Sequence, residues 1–133
     1  MKVIDEFTEV FASLSDKTRL RIIYLLVLSG EPLCVCELVD SLEETEANIS
    51  RHLKVLKHAG LVEERKDGRW KYYSIIKTGD QLMAHLFQTV ALIPGEAAVK
   101  EYEKLQERLK LREGGRCSLG IQNARLISRK RRG

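Results

Sequence analysis

Three thiols and one cationic stripe are where this chain of 133 residues can do chemistry. Cys34 and Cys36 stand two positions apart, and Cys117 lies far down the chain. Thiolate sulfur is a soft donor that selects soft ions. A Cys-x-Cys spacing alone leaves a second reading open, because unpaired cysteines commonly serve as small buried hydrophobes. The histidines do not decide it. His52 and His58 sit among the cations, His85 stands alone, and none forms a pair at metal-ligand spacing. No phosphate-cradling glycine loop, strand-turn nucleophile or carboxylate pair is present, which sets an enzyme aside.

The elements that must position these groups follow from periodicity. Over 41–59, Ile49, Leu53 and Leu56 recur at helical spacing and bury one stripe, leaving Asn48, Arg51, Lys54 and His58 on the other side. Thr45 supplies a start signal and Gly60 a stop. A shorter apolar-periodic piece, 33–42, precedes it, with Pro32 suited to its first turn. Two short helices joined by a small turn read as a helix-turn-helix, whose second helix enters the DNA major groove. The first turns of such a helix come closest to base edges, so Asn48, Ser50, Arg51 and His52 are the expected groove contacts. Arg51 is suited to a guanine and Asn48 to an adenine. After Gly60 the period changes. Residues 61–66 and 69–76 are rich in Val, Trp, Tyr and Ile and are joined by Asp67-Gly68, the signature of a hairpin. This two-stranded wing must pack one face on the helices. Trp70 and Tyr72 share one face, Lys71 and Tyr73 the other, and which is core stays open. Lys54, Lys57, Arg65, Lys66 and Arg69 are expected on phosphates, with Arg69 at the wing tip.

The remaining segments are helical. Val3, Phe7, Val10, Phe11 and Leu14 trace a first stripe, and 17–29 reads as the most buried helix, ended by Gly30. Leu82, Leu86, Val90 and Ile93 mark another, closed by Pro94-Gly95. A charged helix with a narrow apolar stripe then runs from 96 to about 113. The expected fold class is therefore mainly α with a small two-stranded β-wing, a winged helix-turn-helix. It comprises a domain over 1–113 (helix-turn-helix 33–59, wing 61–76) and a basic, flexible, cysteine-containing tail over 114–133. The helices at 3–13 and 79–113 exceed what a winged helix-turn-helix needs and are expected to build a two-fold dimer, the usual symmetry for palindromic DNA.

Charge is distributed to match. Residues 46–77 hold eight Lys/Arg against four Asp/Glu and 114–133 hold six against none, whereas 1–45 carry a net −5. Local excess of this kind is the footprint of a nucleic-acid binder. The run Arg129-Lys130-Arg131-Arg132 reads first as a solvated end and second as extra phosphate contacts. No apolar run approaches the roughly 20 residues of a membrane span, and the N-terminus lacks a signal peptide, so a cytoplasmic protein with reduced thiols is expected.

Several stretches in one order resemble the arsenical-resistance repressor (ArsR) family: Leu14-Ser15-Asp16-Lys17-Thr18-Arg19-Leu20-Arg21-Ile22, Leu33-Cys34-Val35-Cys36-Glu37-Leu38, Ile49-Ser50-Arg51-His52-Leu53-Lys54-Val55-Leu56, Ala59-Gly60-Leu61-Val62 and Gly68-Arg69-Trp70-Lys71-Tyr72-Tyr73. The resemblance implies a dimeric repressor on a palindromic operator that leaves it when a metal or metalloid binds. In the arsenic-responsive branch the ligands are a Cys-Val-Cys pair and a third cysteine close by. Val39 stands where that third cysteine is expected, so Cys117 becomes the candidate, from either protomer. The implied metal ligands are Cys34, Cys36 and Cys117. Three sulfurs without a partnered histidine suit trivalent arsenic or antimony better than four-coordinate zinc.

A mechanism follows if 33–42 is a regular helix. Residues two apart point about 200° from each other, so both sulfurs reach one ion only if the first turn unwinds. The brace of the recognition helix would then deform. The alternative signal on the same fold is a thiol-redox switch, disfavoured by Glu31 and Glu37 flanking the thiols rather than cations.

Overall fold

The computed structural model describes residues 3–123 and 126–127. They fold as α1 (Ile4–Leu14), α2 (Lys17–Ser29), β1 (Leu33–Cys34), α3 (Val35–Leu42), α4 (Glu46–His58), β2 (Val62–Asp67), β3 (Trp70–Ile75), α5 (Gln81–Ala91) and α6 (Glu96–Leu109). The run Arg129-Lys130-Arg131-Arg132 lies outside the described residues. The body is organised on α2, in which five consecutive side chains from Ile22 to Leu26 are buried. A helix wet on one side cannot do that. This one is packed by α1, α4, α5, α6 and β3. Asp16 caps its start, its carboxylate accepting the Arg19 N–H at 3.0 Å, and Gly30 ends it at φ +66.

The two reading helices form as their spacing predicts, with one change at the front. α3 begins at Val35 rather than 33, because Leu33 and Cys34 are extended and pair with Tyr73 and Tyr72 as a third strand. The sheet order is β1-β3-β2, so the two-stranded wing β2–β3 stands as expected and gains a short third strand from ahead of α3. Pro32 accordingly precedes a strand instead of opening a helix. The chain leaves α3 through Glu43 in the left-handed region, and Thr45 accepts the Asn48 N–H to start α4. Ile49, Leu53 and Leu56 are fully buried. At the wing tip Asp67 pairs with Trp70, which leaves Gly68-Arg69 as the turn, with Gly68 at φ +60. That places glycine where a two-residue hairpin needs positive φ. Both faces of β3 are covered: Tyr73 joins the main core, and Tyr72 packs with the cysteines.

The C-terminal third departs further from expectation. α6 stops at Leu109 and folds back on α3 and α2, with Leu105 fully buried. Large apolar side chains left open lie mostly on α1 and around α5, Ile4 and Leu92 each 80% exposed and Phe11 51%, with Val99 of α6 at 49%. Residues 114–123, expected as the start of a flexible tail, turn back at Gly114-Gly115 and run along α3. There the Asp40 carboxylate accepts the N–H groups of Gln122 and Asn123 at 3.0–3.1 Å. Cys117 is buried, and Leu126 joins the main core. Charge content suggested a flexible tail; Asp40, Cys117 and Leu126 hold this part of it down. No single helix among the described residues is long and apolar enough to cross a membrane.

Candidate soft-metal centre and nucleic-acid interface

Three elements deliver the three thiols. Cys34 ends β1 and caps α3, Cys36 lies in the first turn of α3, and Cys117 arrives on the returning segment. Their sulfurs all lie within 4.8 Å of one another, Cys36 and Cys117 at 3.6 Å, and all three residues are buried. The convergence depends on Cys34 not being helical. At ψ 151 its side chain swings round toward Cys36, so the 200° separation of a regular helix does not apply. The expected unwinding of α3 is therefore unnecessary: the sulfurs gather with the helix intact.

The third thiol is held by side chains that spacing did not single out. Tyr72, opposite Cys34 in the sheet, accepts the Cys117 N–H on its hydroxyl at 2.8 Å. Glu37, with no exposed surface, accepts the Cys34 N–H at 2.8 Å and both fork positions of Arg112 at 2.7 Å. Arg112 also donates to the Pro32 carbonyl. One turn earlier Arg108 donates to Asp40 at 2.7 Å and to the carbonyls of Leu119 and Gly120. Two arginines four residues apart thus meet two carboxylates three apart on α3. That pairing was a readable signal, hidden among the alternating charges of 96–113.

The cluster favours a single thiolate. Hydrogen bonds from Cys117 and then Cys36 hold Cys34 below the ordinary thiol range, and its place at the α3 N-terminus has the same sign. Cys117 is pushed up by donating to Cys34 and Cys36. Cys36, although Cys117 also donates toward it, is raised by its bond to Cys34 and by burial. Sulfurs sharing a tetrahedral ion with bonds of about 2.3 Å sit roughly 3.8 Å apart, so this trio needs at most about an ångström of closure. Among the described residues no histidine or carboxylate completes a fourth position with the three thiols. The donor set fits a three-coordinate soft ion.

On the DNA-reading side, Arg51, Lys54 and Lys57 are exposed on α4, and Arg65, Lys66 and Arg69 on the wing. Asn48 and Ser50 are half-buried; the Asn48 amide donates to Glu44 and its carbonyl accepts from Arg51. Arg65 and Arg69 lie over the rings of Tyr72 and Trp70, at 5.2 and 4.4 Å. His52 departs from its expected role. It is 5% exposed, three residues after Ile49 on the buried stripe, and its Nδ1 lies 3.0 Å from Arg19 Nη1. Arginine only donates, so Nδ1 accepts and the ring is neutral.

Burial, with Arg51 and Arg19 adding and Asp16 opposing, lowers the His52 pKa below its ordinary 6.5. The unfolded chain then binds a proton, as pH falls through 6.5, that the folded chain does not, and stability is lost from there down to the folded value. Thermal melts at pH 7.5 and 5 are expected to show a larger loss for the wild type than for His52→Gln. Parallel losses would remove His52 from the account.

The family profile of bacterial regulatory proteins of the arsR family matches residues 16–64. An arsenical resistance operon repressor of Escherichia coli is 38% identical over 115 residues, covering 86% of this chain and 92% of its own. A homologue of a cadmium resistance transcriptional regulatory protein from Staphylococcus aureus is 44% identical over 70 residues, 53% of this chain and 57% of its own. Among solved structures, the homodimeric winged helix-turn-helix DNA-binding domain of a possible ArsR-family regulator from Mycobacterium bovis superposes with a TM-score of 0.56. It is 30% identical and covers 65% of this chain and 76% of its own.

Proposed function

Because this chain belongs to the arsR family of bacterial regulatory proteins, we propose that it is a homodimeric repressor that sits on a palindromic operator. Release follows when Cys34, Cys36 and Cys117 of one protomer take up trivalent arsenic, with antimony as the second candidate ion. One observation carries the reading: three buried sulfurs of a single chain already face one another. Each thiol exchanges an arsenic–hydroxide bond for an arsenic–sulfur bond, its proton leaving with the hydroxide as water; at the thiolate the proton comes from solvent. Cadmium or zinc would want a fourth ligand.

DNA reading falls to Asn48, Ser50 and Arg51 in the groove and to Lys54, Lys57, Arg65, Lys66 and Arg69 on phosphates, in the cytoplasm, where the thiols stay reduced. The open side chains of α1 and α5 supply the dimer face, at about 1.5–3 kcal/mol for each large apolar side chain fully buried. A specific distance supports the alternative signal. Cys36 and Cys117, 3.6 Å apart, could close a disulfide by passing two electrons and two protons to a peroxide. The two readings separate on one experiment. Arsenite added to the operator-bound protein is expected to release it, with thiolate-to-arsenic absorption growing in step, while peroxide without arsenite leaves it bound. The opposite pattern would replace the metalloid by redox.

A further inference from the structure

The chain's own C-terminal segment lies where α4 and the wing would approach DNA. A cavity of about 600 Å³ runs from Cys34 and Cys36 to that face. Ser50 and Lys54 of α4, Arg69 and Trp70 of the wing, and Ile121 and Ile127 of the returning segment line it together. We propose that residues 117–123, with Leu126 and Ile127, are a strap over the notch between α4 and the wing, and that a soft ion bound to all three thiols fastens it there, closing the DNA-reading face.

The strap is pinned at separate points. Cys117 and Ile121 pack with Cys34, Cys36 and Tyr72, Asp40 holds the Gln122 and Asn123 N–H groups, and Leu126 enters the main core. Ser50 and Lys54 are the side chains a groove and its phosphates need, so strap and duplex compete for one surface. A ligand shifts such an equilibrium only by binding one state better. Here that preference is built in. With the strap down three thiols reach the ion; with it lifted by DNA only Cys34 and Cys36 remain. The third sulfur bond is the coupling between ion and operator, and it needs no deformation of α3.

This inference rests on the metalloid-repressor reading, and its test keeps the two apart. The probes are arsenite and a labelled duplex selected for binding to the full chain. Arsenite is expected to weaken duplex binding by the full chain about tenfold or more. A chain ended at Asn123, and separately full-length Ile127→Asp, are expected to take up arsenite with unchanged thiolate-to-arsenic absorption yet lose less than about twofold in duplex affinity. Trp70, the one tryptophan in the sequence, borders the notch, so arsenite alone should change its fluorescence in the full chain and much less in the shortened one. If both variants leave the duplex at the same arsenite concentration as the full chain, the strap is wrong while the metalloid reading stands. If the full chain takes up arsenite and stays on the duplex, that reading fails and the strap with it.

Discussion

Cys34→Ser and Cys36→Ser are each expected to leave operator binding intact and to abolish release by arsenite. Serine keeps the size of the side chain and removes the soft donor, so the fold and the DNA-reading face survive while one sulfur of three is lost. For a two-site coupling of the usual size, 1 to 3 kcal/mol, arsenite weakens wild-type binding about 5- to 150-fold, and the variants should show a ratio near one. Fluorescence anisotropy of a labelled operator, titrated with protein at fixed arsenite, reads that ratio directly. Either variant dissociating at the wild-type arsenite concentration would place the ligand set elsewhere. Cys117→Ser is expected to keep arsenite on Cys34 and Cys36, a water or small thiol completing the coordination, and yet to lose release, because the sulfur that ties the ion to the returning segment is gone. The intact α3 sharpens the expectation. Cys34 and Cys36 are already aimed at one point, so what the serine variants lose is the donors themselves and not a helix-unwinding step.

What could be read from the chain was whatever repeats within one element. The stripe of Ile49, Leu53 and Leu56, the Thr45 cap and the hairpin around Gly68 each need only local spacing, and each stands where that spacing puts it. The misplacements share a cause. Whether Leu33-Cys34 is helix or strand depends on Tyr72 and Tyr73, some 40 positions away, whose free edge pairs with it. His52 looked like a groove contact because it lies in the first turns of α4, although its place three residues after Ile49 put it on the buried face, where Arg19 meets it. The candidate thiols were legible as residue types. Their geometry was not, since it depends on an extended Cys34 and on Glu37, Asp40, Arg108 and Arg112, charged groups that a sequence reading assigns to water by default.

That same buried charge makes the last prediction a large one. Arg112→Met is expected to destabilise the fold by about 3–5 kcal/mol, because it leaves the carboxylate of wholly buried Glu37 without its cation. The Cys34 N–H still reaches Glu37, but one neutral donor does not replace a two-bonded fork. Arg112→Lys should fall between, keeping charge while losing that geometry. Urea unfolding at a fixed protomer concentration measures the loss, the fixed concentration being needed because the proposed dimer would add its own stabilisation. Adding Glu37→Gln to Arg112→Met should recover much of it, since the penalty lies in the stranded charge rather than in the absent pair. Arg112 also donates to the Pro32 carbonyl and lies beside the segment that carries Cys117, so the same substitution should loosen the third thiol. X-ray absorption at bound arsenic is then expected to count three sulfurs in the wild type and nearer two in Arg112→Met. An unchanged count together with an unchanged unfolding midpoint would mean that the thiols find one another without the arginine.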